Sequence, residues 1–104
     1  MARGCAALLA GDDEVRATDV IVGDAHRGPG YGRITREAID AVRFLASHEG
    51  LLLDPVYSGR AFAGLLGQAR RGEFAREENI LFIMTGGTPA PFAYRELFSS
   101  PPSA

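Results

Sequence analysis

The chain has 104 residues, 46% of them hydrophobic and 23% charged, with a net charge of −2. That length admits at most one small domain, and the near-neutral balance gives no electrostatic reason to expect nucleic acid or an anionic membrane as a partner. All eleven basic residues are arginine, so these residues offer no side-chain amine for Schiff-base chemistry.

No apolar run is long enough to span a bilayer. The opening MARGCAALLAG has an Arg and a short apolar run, but Asp12-Asp13-Glu14 follows at once, which argues against a signal peptide. Cys5 stands alone, which excludes an internal disulfide and fits a reducing cytoplasm.

Residues 2–10, rich in Ala and Leu, predict a helix that Gly11 and the acidic cluster end. Thr18 to Val22 (TDVIV) reads as a short strand. Asp24 to Arg33 (DAHRGPGYGR) is a loop punctuated by three glycines and one proline. Thr35 is a helix N-cap, with Glu37 in the first turn where it favours the dipole. Ile39, Val42, Leu45 and Ala46 follow helical spacing, and Gly50 stops the helix.

The central stretch is Glu49 to Arg60, EGLLLDPVYSGR. Leu51 to Leu53 reads as a buried strand that ends at Asp54-Pro55, and a second helix follows with Ala61, Phe62, Leu65, Leu66 and Ala69 on one face. A strand that stops at a turn and opens a helix is where α/β folds place ligand-handling groups. Asn79 to Thr85 (NILFIMT) is apolar throughout, so it predicts a strand covered on both sides. Gly86-Gly87-Thr88-Pro89 breaks it, Ala90 to Phe98 predicts a last short helix, and 99–104 reads as a frayed tail.

The order strand, helix, strand, helix, strand, helix implies an α/β fold, a partial parallel sheet with covering helices, in a single partial domain spanning 1–104. Three strands leave two unpaired edges, and burial set against chain entropy comes out near zero for so small a core. The chain is therefore expected to be part of something larger, or only marginally stable.

Candidate site residues each have an ordinary structural explanation beside the functional one. Thr85-Gly86-Gly87-Thr88 could hold a ligand against backbone amides, yet any strand-to-helix turn favours glycine. Tyr31 and Tyr57 stand in or beside glycine-rich turns, where tyrosines are more often packing residues than proton carriers. Ser58 has a default role as a helix N-cap, and Asp54 before proline as a turn residue. His26 and His48 have no partner at metal-ligand spacing, so no metal site is expected. No Ser/His/Asp triad, nucleotide P-loop or dinucleotide fingerprint is present.

Three ordered blocks, GPGYG (28–32), EGLLLDPVYSGRAFAGLL (49–66) and ILFIMTGGTPAPFAY (80–94), resemble one family. They are similar to the C-terminal part of the D-cysteine desulfhydrase and 1-aminocyclopropane-1-carboxylate deaminase group, pyridoxal-phosphate enzymes of the tryptophan-synthase-β-like fold (fold type II). The resemblance runs from about Asp24 to Tyr94 at family-like spacing. It implies that Tyr57 is the proton-transfer or substrate-orienting phenol and Tyr31 its neighbour across the pocket. It places Thr85 at the pyridine nitrogen of pyridoxal 5'-phosphate, helped by Ser58, with Gly86 and Gly87 letting the backbone sit against the ring. A neutral hydroxyl at that nitrogen makes a milder electron sink, suited to elimination and deamination of small amino acids.

Departures from the family pattern matter as much. Ser58 resembles the small hydroxyl residue of the desulfhydrase branch, where the deaminase branch carries Glu. Met84 stands where a His is usual, Pro91 where a Leu is usual, and Arg60 where a Lys is usual. The family's Schiff-base lysine, substrate-binding serine region and Gly-rich phosphate loop find no counterpart here. The resemblance thus implies the C-terminal portion of a cytoplasmic D-cysteine desulfhydrase-like lyase, inactive alone, acting on a small amino acid when complete. Alternatives are a fragment of the deaminase or of a cysteate sulfo-lyase, a non-catalytic interaction module, or a truncated gene product with no role. A homo-oligomer or a missing N-terminal segment is also compatible with the sequence.

Overall fold

The computed structural model describes residues 2–9 and 15–99. Ala10, the cluster Asp12-Asp13-Glu14 and the tail from 100 onward lie outside them. The helix expected over 2–10 is present as α1 (Ala2–Leu8), fully on the surface and tied back by Arg3 Nε donating to the Val15 carbonyl at 2.8 Å.

The body of the structure is a helix pair. α2 (Arg36–Glu49) begins where the sequence places it: the Thr35 hydroxyl accepts the Ala38 N–H, satisfying one donor the first turn leaves open. It ends at Gly50, whose φ of 68° is a left-handed conformation that glycine adopts without a Cβ penalty. α3 (Ser58–Arg70) packs along it. Ala41, Val42 and Leu45 of α2 meet Phe62 and Ala63 of α3 over Leu53, which is fully buried. Leu65, Leu66, Phe82 and Phe98 close the rim, with the Phe62 and Phe82 rings edge to face at 5.3 Å.

Gly59 sets how closely the two helices approach. A Cβ there would stand 2.7 Å from Val42 Cγ2 and 2.8 Å from the Asp54 carbonyl. Gly59→Ala would recover up to about 1 kcal/mol of helix propensity. Overpacking against backbone outweighs that gain, so a net loss of about 2 kcal/mol is expected in urea unfolding.

The expected sheet is absent: among the described residues no segment forms a strand. Thr18 to Val22 starts within a 3-10 turn (Ala17–Asp19) and then runs extended, with Ile21 93% exposed. Leu51 to Leu53 is irregular backbone that buries Leu53 alone among the three. Asn79 to Thr85 packs through Phe82, while Leu81 and Ile83 face outward, so it is not covered on both sides. Apolar sequence marks where burial is favoured, but a strand exists only when a neighbour supplies its hydrogen bonds. None of the three segments finds that neighbour here.

The last expected helix is split into two short turns, α4 (Ala90–Ala93) and α5 (Arg95–Phe98), broken at Tyr94. α5 returns to α2, where the Arg43 guanidinium lies over the Phe98 ring at 6.0 Å.

Candidate functional site

The turn between Leu53 and α3 is built on one carboxylate. Asp54 Oδ1 accepts the N–H groups of Val56 (2.9 Å) and Tyr57 (2.6 Å), and Oδ2 accepts that of Ser58 (2.8 Å). Those are donors that a helix start leaves unpaired, so Asp54 caps α3 from outside it. Asp54 is thus the turn residue the sequence suggested, whereas Ser58 is not the N-cap but the first helical residue. Burial alone would raise the Asp54 pKa. The N–H donations of Tyr57, Ser58 and Val56, with the Ser58 hydroxyl close by, outweigh it and hold the carboxyl below its ordinary range. The Ser58 hydroxyl is itself buried and makes no well-formed hydrogen bond.

This cap fixes Tyr57 at the mouth of the helix, with its ring in solvent. Tyr31, in the glycine loop, reaches it: the two phenol oxygens are 2.7 Å apart, with ring centroids at 6.3 Å and planes at 60°. Hydrogen bonding to Tyr31 pushes the Tyr57 phenol above its ordinary value. The pair borders an open hollow of about 820 Å³, also lined by His26, Val56, Arg60 and Leu65. Arg60 holds the loop in place, Nη1 donating to the Arg27 carbonyl at 2.5 Å and Nη2 to that of Arg33 at 2.6 Å.

Gly87 approaches the same turn from the other side. Its φ is 81°, and a Cβ would stand 2.9 Å from Asp54 Cβ, so only glycine fits without displacing the cap. Gly86, with φ of 116°, bends the chain into that position. Of the six residues the sequence singled out, then, Tyr31 and Tyr57 meet directly, and Ser58 and Gly87 both lie against Asp54. Thr85 is exposed and does not line the hollow of the two phenols.

The histidines have structural explanations. His48 hydrogen-bonds the Phe44 carbonyl and stacks on the Phe44 ring in the last turn of α2. His26 pairs with Glu37 at 3.3 Å and lies over Gly64 and Gly67 of α3. Arg60 is the residue whose role sequence reasoning missed. One signal existed: a cation in the first turn of a helix opposes the dipole, so another interaction has to hold it there.

The family pattern described as "Pyridoxal-phosphate dependent enzyme" matches residues 3–86. The chain belongs to the pyridoxal-phosphate-dependent enzyme family. Over 76 residues it is 49% identical to the D-cysteine desulfhydrase of Klebsiella pneumoniae (strain 342), a match covering 73% of this chain and 23% of that protein. It also matches a crystal structure of an ACC deaminase homologue with a TM-score of 0.65 and 40% identity, over 90% of this chain and 27% of the other. This member of the pyridoxal-phosphate-dependent family therefore spans about a quarter of the length of those relatives.

Proposed function

We propose that the chain is the substrate-facing portion of a D-cysteine desulfhydrase-like lyase, which converts D-cysteine to pyruvate, sulfide and ammonia. The observation that carries this reading is the Tyr31–Tyr57 hydrogen bond at 2.7 Å, beside an open hollow, in a chain 49% identical to a D-cysteine desulfhydrase. A phenol hydrogen-bonded to a second phenol can give up a proton and regain one without a change of geometry, which elimination from an amino acid requires.

The residues present fit one edge of the cofactor. The Ser58 hydroxyl is buried beside the Asp54 carboxylate, so it would meet a ring nitrogen only by turning outward, while the backbone at Gly86 and Gly87 has no side chain to keep a ring away. Thr85, exposed, is free to turn toward the same group. Bound there, pyridoxal phosphate would supply the electron sink for the elimination. No lysine lies in these 104 residues, so in this reading the covalent anchor comes from polypeptide outside them.

Ser58, rather than a carboxylate, supports sulfur-bearing substrates over ring opening. The experiment is a substrate panel on a chimera in which this chain replaces the matching segment of the Klebsiella D-cysteine desulfhydrase. Sulfide and pyruvate from D-cysteine are expected, at rates well above ammonia release from 1-aminocyclopropane-1-carboxylate or sulfite release from cysteate. A preference for either of the latter would replace this substrate assignment with the corresponding one.

A second reading, a non-catalytic docking module, draws support from the outward-facing Leu81 and Ile83, 85% and 71% exposed. In that case the chimera would fold and show no turnover of any of the three substrates.

A further inference from the structure

The glycine loop that carries Tyr31 has no regular secondary structure to hold it. It is closed internally by two turns, Arg27 N–H to the Asp24 carbonyl and Arg33 N–H to the Gly30 carbonyl; His26 ties its start to α2 and α3, and neither turn ties the Gly28–Gly32 part to the helices. Tyr31 is 85% exposed, and its ring meets that of Tyr57 edge to face. A phenol on such a loop would ordinarily sample many positions. Its 2.7 Å contact with Tyr57 therefore needs a restraint from outside the loop.

Arg60 supplies one. It sits in the first turn of α3, three residues after Tyr57, and its two terminal nitrogens donate to the carbonyls of Arg27 and Arg33, the residues that bracket Gly28–Gly32. A planar fork with fixed donor directions can hold two separate carbonyls at once, which a single flexible ammonium does less well. Gly28 lies beside it with φ of 72°, where a side chain is strained, and a Cβ there would crowd Thr35 Cγ2 at 3.1 Å while only touching Arg60 Cζ at 3.4 Å. The Arg60 Nε is buried without a hydrogen-bond partner, a cost accepted where the two terminal bonds hold the side chain. Each terminal nitrogen gives one of its two N–H groups to a loop carbonyl, so the side chain's position is set by the loop.

We propose that Arg60 is a positioning residue: by bridging the carbonyls of Arg27 and Arg33 to α3, it holds the Tyr31 phenol in hydrogen-bond register with that of Tyr57. Its meaning for catalysis rests on the proposed lyase reading, but its test does not. Phenol ionisation can be followed by ultraviolet absorbance on the 104-residue chain without cofactor or substrate. In a Tyr94→Phe background only Tyr31 and Tyr57 titrate. One phenol should then ionise above the ordinary value of about 10.

Two variants disturb the clamp from opposite sides, Arg60→Met by removing the fork and Gly28→Ala by straining the positive-φ turn between its two carbonyls. Each should return the raised phenol to about 10 while the far-ultraviolet helical signal is kept. Loss of a nearby positive charge would by itself raise a phenol's pKa. A fall in Arg60→Met therefore reports the broken contact and not the missing charge. A raised phenol that persists in both variants overturns the proposal. Loss of the helical signal in both would also overturn it, because Arg60 would then support the fold at large and not the loop.

Discussion

Asp54→Ala should destabilise the chain by about 3 kcal/mol, enough to unfold most of it at room temperature if its stability is as small as its core suggests. The substitution removes one side chain but leaves three backbone donors without their acceptor, that of Ser58 buried and those of Val56 and Tyr57 half-buried. An ordinary cap deletion strands one donor and costs about 1 kcal/mol. It also removes the surface on which Gly87 rests, so the turns on both sides of the site loosen together. Urea unfolding of the two proteins measures the difference. The pH dependence has a fixed sign. Asp54 is held below its ordinary carboxyl value of 3.8, so its contribution is complete above that value. It is lost as the pH falls through the lower folded-state value, and the Ala variant should lack that acid-side loss.

Tyr57→Phe, made in the chimera with the Klebsiella relative, should lower kcat for D-cysteine by about 10²–10⁴ while KM changes little. The phenol ring stays, so packing around Val56 and the hollow is preserved; what goes is the oxygen that shares a proton with Tyr31. Pyruvate formation under saturating D-cysteine reads the effect. A variant that keeps nearly all of its turnover would remove Tyr57 from the chemistry and leave it a packing residue.

The helical half of the fold was legible because helices satisfy their own backbone. Thr35, Gly50 and the spacing of Ile39, Val42 and Leu45 define α2 with no reference to anything beyond it. The strands were not, because NILFIMT and TDVIV say only that these residues favour burial. Whether they pair depends on neighbours that these 104 residues do not provide, and Ile21, Leu81 and Ile83 accordingly stand in solvent. In the site, Tyr31 and Tyr57 were found through three sequence blocks taken together, since neither glycine turn alone singles out a phenol. Asp54 was read as a turn residue, correctly, but Asp-Pro gives no count of the N–H groups it would gather. Arg60 was legible only as a departure from the family's Lys; its role was not, because its partners are main-chain carbonyls 27 and 33 residues distant, and a backbone carbonyl leaves no mark in a sequence.

The central claim is that these residues form one wall of a coenzyme pocket whose amine lies on other polypeptide. Sulfide release from D-cysteine with added pyridoxal phosphate tests it directly, measured side by side on the 104-residue chain and on the chimera that joins it to the rest of the Klebsiella relative. No sulfide from the chain alone and sustained release from the chimera is the predicted result. Turnover by the chain alone, or a folded and cofactor-loaded chimera that releases none, would contradict it.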